Sequence, residues 1–229
     1  MPKITTPLLS VYDVNYQYEI GVDECARGPM FGRLYTAAVI LPKDESFHHY
    51  EMKDSKKIHS MKKMKELSDY IKEKAIAWHI HFIEPDVIDS INIRQSVFQG
   101  MRECIRQVLM KIDPSGKNTI LVIDGNDFLP YTVFDEDSET LREVPHITIE
   151  KGDNTYSFIA AASILAKNAH DEYILQLCEE YPELKTRYSL HENVGYGTAK
   201  HLAGIREHGI TQWHRKTFGS CKNAVYSPV

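Results

Sequence analysis

The run from Thr119 to Ile123 most constrains the fold, because five consecutive residues are β-branched or aliphatic. A strand of this composition is typically buried on both faces, as in the centre of a sheet covered by helices. Asp124-Gly125-Asn126 follows directly, so the strand would deliver a carboxylate at its C-terminal end. The run therefore predicts an α/β protein with an acidic residue at one edge of its central sheet.

Four further segments complete a predicted five-stranded sheet. They are residues 18–22, 34–41, 78–83 and 147–149, each short and rich in β-branched, aliphatic or aromatic side chains. The first two surround Gly28-Pro29 and are expected to pair, whereas the later strands alternate with helical segments. This order indicates a mixed sheet flanked by helices, with a helical lobe at the C-terminus.

The helices are predicted from capping residues and from apolar positions that recur every three or four residues. Ser60, Asp153 and Thr198 stand at predicted N-cap positions. The predicted helices cover 61–75, 93–112, the segment from 154 to the residues before Pro182, and 199–208. We expect a catalytic core at residues 1–182 and a substrate-binding lobe at 183–229, packed as a single compact unit.

Composition narrows the class of protein. The four cysteines are widely separated with no CxxC pair, so neither a zinc site nor a disulfide framework is expected. The longest apolar stretch, 158–166, is far shorter than the ~20 residues that a membrane-spanning helix needs. The first residues also lack the pattern of a signal peptide. We expect a cytoplasmic protein that does not enter a membrane.

Charge is unevenly distributed along the chain. The net charge is −5, but residues 53–74 contain eight lysines against four acidic residues. Residues 185–229 contain seven lysines or arginines against two glutamates. Basic flanks around an acidic middle are the pattern expected where carboxylates hold metal ions and neighbouring cations hold phosphates.

Acidic residues follow three of the predicted strands, each beside a glycine: Asp23-Glu24, Asp124 and Asp153. A single aspartate at a strand end is more often a turn or capping residue. Together these carboxylates indicate a site for hard divalent cations, because ligands gather at strand ends and Mg²⁺ prefers oxygen ligands. Four carboxylates are enough to hold two ions.

Seven short motifs occur in order between Gly21 and Gly219. They are Gly21–Pro29 (GVDECARGP), Asp54–Lys57 (DSKK), Asn92–Gln95 (NIRQ), Ile123–Asn126 (IDGN), Lys151–Asp153 with Ala160–Lys167 (KGD and AAASILAK), Gly195–Thr198 (GYGT) and His214–Phe218 (HRKTF). Any one of them alone would be weak evidence, but the ordered set resembles the motifs of the ribonuclease HII family.

The resemblance implies a ribonuclease H-like fold in which Asp23, Glu24, Asp124 and Asp153 bind Mg²⁺ or Mn²⁺. Asp171 is the alternative for the fourth position. It follows Asp153 by 18 residues, which on one helix is roughly 27 Å, too far to share ions spaced ~3.5–4 Å apart. The implied reaction is two-metal hydrolysis that leaves 5′-phosphate and 3′-hydroxyl ends.

The resemblance also implies which residues contact the substrate. In the family a Gly-Arg-Gly turn approaches the 2′-hydroxyl that distinguishes RNA from DNA, and a tyrosine packs on the next sugar. Here the turn is Ala26-Arg27-Gly28, and Ala26 brings a Cβ that disfavours positive φ; Val194 also replaces a lysine common in the family. The implied substrate contacts are Ala26, Arg27, Gly28, Lys56, Lys57, Asn126, Tyr196, Arg215 and Lys216.

The expected substrates are RNA–DNA hybrids and duplex DNA with embedded ribonucleotides, bound by a monomer. No sequence feature identifies a protein partner such as a replication clamp. One alternative is a catalytically weak hybrid-binding protein of the same fold, although all four carboxylates are retained. The other is the sister class, ribonuclease HIII, which generally carries an N-terminal substrate-binding domain that the roughly 20 residues before Asp23 are too few to form.

Overall fold

The computed structural model describes residues 7–136 and 138–229. Its contacts divide the chain into two compact units. The first unit contains the residues up to 24, with 36–81 and 101–168, and the second contains 25–35, 82–100 and 169–229. The whole of the predicted C-terminal lobe, 183–229, lies in the second unit. Each unit combines three separate segments of the chain. The predicted division at residue 182 would instead give two continuous segments.

The strands are β1 (Tyr18–Cys25), β2 (Leu34–Ile40), β3 (Ala77–Ile83), β4 (Thr119–Asp124), β5 (Thr132–Asp135), β6 (Thr140–Glu143) and β7 (His146–Ile149). Five of them form a mixed sheet in the order β3-β2-β1-β4-β7. Strand β4 is parallel to both neighbours, with Gly21 opposite Val122 and Asp124 opposite Ile149. The predicted α/β fold with a mixed five-stranded sheet is confirmed, and β4 is buried from Thr119 to Ile123, as β2 is throughout.

Strands β5 and β6 form a separate antiparallel pair that the sequence does not predict. Phe134 and Leu141 lie opposite each other in this pair, yet they are 60% and 73% exposed. Each strand has only four residues and no regular alternation of buried and exposed positions. Sequence periodicity detects a strand through its buried face, so this pair leaves little signal.

The helices are α1 (Met61–Lys74), α2 (Pro85–Ile91), α3 (Ile93–Ile112), α4 (Ser157–Glu180), α5 (Glu183–Tyr188), α6 (Leu190–Asn193) and α7 (Ala199–His208). The side chains of Ser60 and Thr198 cap α1 and α7 as predicted. The predicted capping role of Asp153 is wrong. Asp153 lies in a short 3-10 turn, Gly152–Asn154, and α4 begins only at Ser157.

The first half of α4 is buried on all sides, from Ser157 to Ala166. A helix that is apolar all round belongs in a protein interior. Strand β1 contacts it so closely that a Cβ added to Gly21 would lie 2.6 Å from the carbonyl carbon and oxygen of Phe158. Glycine at position 21 therefore sets the approach of β1 to the start of α4. Among residues 7–136 and 138–229, none of the helices combines the length and apolar composition needed to cross a bilayer.

The second unit has a core built on its helices, with Tyr188 and Leu190 fully buried. Two histidines are buried in this unit as a hydrogen-bonded pair, with His201 Nε2 3.1 Å from His214 Nε2. The amide of Thr211 donates to His214 Nδ1, and His201 Nδ1 lies 3.0 Å from the carbonyl oxygen of Tyr196. This pattern is satisfied when both rings are neutral, His214 donating to His201 and His201 donating to the carbonyl.

We expect Gly21→Ala to destabilise the protein, because the added methyl group would meet helix backbone rather than a movable side chain. Overpacking of this kind costs about 1–3 kcal/mol, and more where backbone is involved. Chemical unfolding in urea measures the effect. Gly28→Ala is the matched control, because its methyl group would have only Cε1 of Tyr196 within 4 Å, at 3.7 Å. Equal stabilities of the two variants would contradict the tight contact.

We also expect acid to weaken folding through the histidine pair. Burial, followed by the neighbouring His201, lowers the pKa of His214 to about 3. The ring therefore stays neutral when folded but is protonated when unfolded below its usual pKa of about 6.5. This contribution to stability is complete above pH 6.5 and lost as the pH falls toward 3, by about 2 kcal/mol at pH 5.

The measurement for the histidine pair is the free energy of unfolding between pH 5 and 8. The wild type is compared with the double variant His201→Gln/His214→Gln, because acidic residues also titrate in acid. The variant should show a flatter pH dependence than the wild type. Parallel curves would show that the pair does not titrate as the structure indicates.

Candidate functional site

Asp23 lies near the end of β1 with only 5% of its surface exposed. Its Oδ1 accepts a hydrogen bond from the amide of Glu24 at 2.7 Å, and Ser163 on α4 also bonds to its side chain. Burial, then the negative charges of Glu24 and Asp124, raise the pKa of Asp23 well above its usual value. The carboxyl group of Asp23 is therefore buried beside two like charges.

Asp124, the last residue of β4, faces the turn that precedes α4. The amide of Gly152 donates to Asp124 Oδ1 at 2.6 Å. A Cβ on Gly152 would lie 3.3 Å from that oxygen and 2.6 Å from Ile159 Cδ1, so only glycine fits. Burial raises the pKa of Asp124, while hydrogen bonds from nearby amides and the charge of Lys56 oppose the increase.

Asp153 is 3% exposed, and the neighbouring Asn154 holds its carboxylate. The Asn154 amide group donates both to Asp153 Oδ1, at 2.9 Å, and to Asp54 Oδ2, at 3.2 Å. Burial, then the charges of Asp124 and Asp54, raise the pKa of Asp153. Burial would also raise the pKa of Asp54, but hydrogen bonds from the Lys56 amide and Asn154, with two lysine charges, lower it.

Lys56 is the cation most affected by these carboxylates. Burial alone would lower the pKa of Lys56, but the charges of Asp153, Asp54, Asp23 and Asp124 together raise it. Lys57, by contrast, donates its ammonium group to the side-chain oxygen of Asn154. Asn126 is exposed, and its amide group donates to Glu150 Oε1 at 3.4 Å.

Negatively charged carboxylate oxygens come together where β1 and β4 end and just after β7. Burial raises the pKa values of Asp23, Asp124 and Asp153, and the charge of Lys56 offsets the increase only in part at Asp124 and Asp153. Within 7–136 and 138–229, no three His, Cys, Asp or Glu side chains form a complete set of ligands for one ion. Carboxylate oxygens are ligands that Mg²⁺ prefers, and Mg²⁺ usually takes one or two of them beside waters and phosphate oxygens.

In the second unit, Ala26 is buried and adopts a positive φ of 68°, in the left-handed region. Arg27 and Gly28 are exposed. The ring of Tyr196 lies over Gly28, where a Cβ would be 3.7 Å from Cε1, and 45% of the tyrosine is exposed. Burial, then the charges of Cys25 and Asp171, raise the pKa of Tyr196 to about 12. The turn and the tyrosine predicted to act together are thus neighbours.

The prediction that Arg215 contacts the nucleic-acid backbone is corrected by the structure. Arg215 is 0% exposed, and its guanidinium donates to backbone carbonyls, among them that of Ala26 at 2.8 Å. A side chain enclosed in this way cannot reach a phosphate. Sequence reasoning assigned it to the surface because a buried arginine is rare.

Lys216 and Asp171 are both placed in the second unit. The Lys216 ammonium lies 5.5 Å from the centre of the Tyr226 ring, with the residue exposed. Its amide, with that of Thr217, donates to the carboxylate of Asp89. Asp171 lies within α4, with Oδ1 3.0 Å from His170 Nδ1. Its exclusion from the metal ligands stays a prediction.

Sequence reasoning missed three residues at the site: Asn154 and Ser163, which bond to the carboxylates, and Asp54, a further carboxylate beside Asp153. Ser163 Oγ lies 2.9 Å from Ser55 Oγ and also bonds to Asp23, so it connects two segments distant in the sequence. Asp54 caps the short 3-10 helix Ser55–Lys57 by accepting from the Lys56 amide at 2.9 Å. An aspartate before a Ser-Lys-Lys run is a capping signal that could have indicated Asp54.

Comparison with known proteins places these features in a family. The family model described as Ribonuclease HII matches residues 20–221. A curated ribonuclease HII from Parabacteroides distasonis is 42% identical over 211 residues, which are 92% of this chain and 94% of that protein. The similarity therefore extends over nearly the whole length of both proteins.

Solved structures share the fold at lower sequence identity. The ribonuclease H2 from Pyrococcus horikoshii OT3 has a TM-score of 0.69 at 20% identity, covering 90% of this chain and 96% of that one. Bst-RNase HIII, crystallised in complex with Mn²⁺, has a TM-score of 0.68 at 16% identity and covers 91% and 69%. These structures share the fold, and the family model and the curated relatives show that the chain belongs to the ribonuclease HII family and is a ribonuclease H endonuclease.

Proposed function

We propose that this protein hydrolyses the RNA strand of RNA–DNA hybrids and incises duplex DNA at embedded ribonucleotides, leaving 5′-phosphate and 3′-hydroxyl ends. The observation that carries the proposal is the group of carboxylates at buried Asp23, buried Asp153 and half-buried Asp124, whose charge raises the pKa of the other two, with Lys56 beside them. Such a group suits divalent cations and the phosphate of a nucleic acid, and it is costly without them.

Asp23, Glu24, Asp124 and Asp153 would hold two divalent ions, Mg²⁺ or Mn²⁺. The bound ions would supply a water of lowered pKa for attack on phosphorus and would stabilise the charge on the leaving oxygen. Mg²⁺ usually takes one or two protein carboxylates and shares substrate oxygens. This coordination preference agrees with a site that contains several carboxylates but does not enclose an ion by itself.

Other groups are proposed to orient the carboxylates or to contact the substrate. The Gly152 amide and the Asn154 side chain keep Asp124 and Asp153 in place, and Ser163 does the same for Asp23. Lys56, whose positive charge is stabilised by these carboxylates, would contact the phosphate that approaches them. Lys57, Asn126 and Lys216 would make weaker contacts to the phosphate backbone.

Substrate choice is proposed to lie with the turn Ala26-Arg27-Gly28 and with Tyr196. The exposed backbone at Gly28 can approach a 2′-hydroxyl closely, and the half-exposed ring of Tyr196 offers an apolar surface for a sugar. Because the proposed substrate includes cellular DNA, we propose that the protein acts in the cytoplasm. The protein would act as a monomer, because both groups of residues are present in one chain.

We expect Asp124→Asn to fold normally but to lose cleavage. The amide oxygen can still accept the hydrogen bond from Gly152, whereas the charge that would bind the ions is lost. Outer-shell partners of metal ligands contribute 10–100-fold to activity, so loss of a ligand should cost more than about a hundredfold. Cleavage of a hybrid and of a one-ribonucleotide duplex, each with Mg²⁺ and with Mn²⁺, measures the effect.

Asp171→Asn is the matched control, since it makes the same chemical change outside the proposed ligand set. Its activity should stay within a few-fold of wild type. If both variants fold and lose cleavage activity equally, Asp171 rather than Asp153 would be the fourth metal ligand. Wild-type protein that binds both duplexes and cuts neither would be the catalytically weak binding protein instead.

We further expect Tyr196→Ala to reduce cleavage of a one-ribonucleotide duplex more than cleavage of a hybrid. A single ribonucleotide offers no neighbouring 2′-hydroxyl to compensate, and small misplacement of a reacting group can cost ~100-fold in rate. Tyr196→Phe is the control, because it keeps the ring that would contact the sugar. The ratio of kcat/KM on the two substrates is the readout, and a ratio shared by all three proteins would exclude recognition by Tyr196.

A further inference from the structure

The guanidinium group of Arg215 is bound by a single stretch of backbone in the second unit. Nε donates to the carbonyl of Gly32 at 3.0 Å, and Nη2 donates to that of Ala26 at 2.8 Å. Nη1 donates to the carbonyls of Pro29, at 2.9 Å, and Arg27, at 3.2 Å. Four carbonyl oxygens within seven residues therefore converge on one planar cation.

These hydrogen bonds have an energetic role, because a buried cation is costly unless its donors are satisfied. Arg215 is fully buried, and burial lowers its pKa to about 10, which still leaves it charged at neutral pH. A guanidinium offers five donors in a rigid fork. The carbonyls of residues 26–32 occupy donors on all three nitrogens, so the cation fixes the path of that segment.

The segment contains a conformation that needs such support. Ala26 has a φ of 68°, and L-residues with a Cβ reach this region only at a cost in free energy. Its carbonyl accepts the shortest of the guanidinium hydrogen bonds. The backbone amide of Arg215 also donates to the carbonyl of Met30 at 2.8 Å, and the amide of Met30 donates to that of Gly195 at 2.9 Å. Gly195 directly precedes Tyr196.

We propose that Arg215 is a positioning residue for ribonucleotide recognition. It holds Ala26, the first residue of the turn Ala26-Arg27-Gly28, in the left-handed conformation, and it keeps the turn beside Tyr196. Arg215 itself does not touch the substrate. The inference rests on the proposed function, in which the turn and the tyrosine recognise the ribonucleotide. Lysine cannot replace the guanidinium, because one ammonium group cannot serve four carbonyls arranged around a planar fork.

The test is a double-mutant cycle of Arg215→Lys and Ala26→Gly. Arg215→Lys should lower kcat/KM on a one-ribonucleotide duplex by about tenfold or more relative to a hybrid, because the turn loses its geometry. Ala26→Gly in that background should recover part of the loss, since glycine enters the left-handed region without support. The effects of the two substitutions on the ratio of kcat/KM for the one-ribonucleotide duplex to kcat/KM for the hybrid should therefore be non-additive.

Tyr188→Phe is the control for general destabilisation. It removes a buried hydrogen bond of the same unit, from Tyr188 Oη to the carbonyl of Gly209, without altering the turn. It should leave the substrate ratio unchanged. An Arg215→Lys variant with an unchanged ratio, or additive effects in the cycle, would overturn the proposal.

The same cycle is measured by urea unfolding, which does not depend on cleavage. If the wild type cleaves neither substrate, the proposed function fails, while coupling between positions 26 and 215 in the unfolding midpoints still tests the support of the turn. Arg215→Lys that does not fold even with Ala26→Gly would also overturn the proposal. The guanidinium would then hold the whole unit together rather than the turn.

Discussion

The removal of carboxylates from water is the constraint on which the rest of the first unit depends. Asp23, Asp124 and Asp153 come from three separate segments. Burial disfavours the charge of each, and neighbouring carboxylates add to this cost at Asp23 and Asp153. Free energy from the rest of the unit must keep them together. The sheet provides it by holding β1 beside β4, and Lys56 and nearby amide groups reduce the repulsion.

The sheet and the carboxylates at its strand ends could be predicted because they leave a local signal. The five apolar residues of β4 indicate a buried strand whatever surrounds them, and Asp124 follows that strand in the sequence. The helix α3 shows its buried face as a repeat of three or four residues. In each of these cases the pattern that reveals the element lies within the element's own residues, although β4 itself pairs with the distant β1.

The features that could not be predicted depend on contacts between distant segments. The side chain of Asn154 that donates to Asp153 also donates to Asp54, a hundred positions earlier in the sequence. Arg215 looks like a surface cation because no sequence pattern shows that its partners are carbonyl oxygens near Ala26. Asp153 has the residue type of a helix cap, yet α4 begins later, because the carboxylate faces Asp124 and Asp54 instead.

The hydrogen bonds of Arg215 have one more consequence. They end on carbonyl oxygens, which every amino acid carries, so they fix the course of residues 26–32 without specifying which side chains are present. A protein engineer could therefore diversify Arg27, whose side chain is exposed, while the backbone beneath it keeps its shape. The hydrogen bonds from Arg215 set the shape of the recognition loop, whereas its side chains set what it contacts. The loop can therefore acquire new specificities through single substitutions.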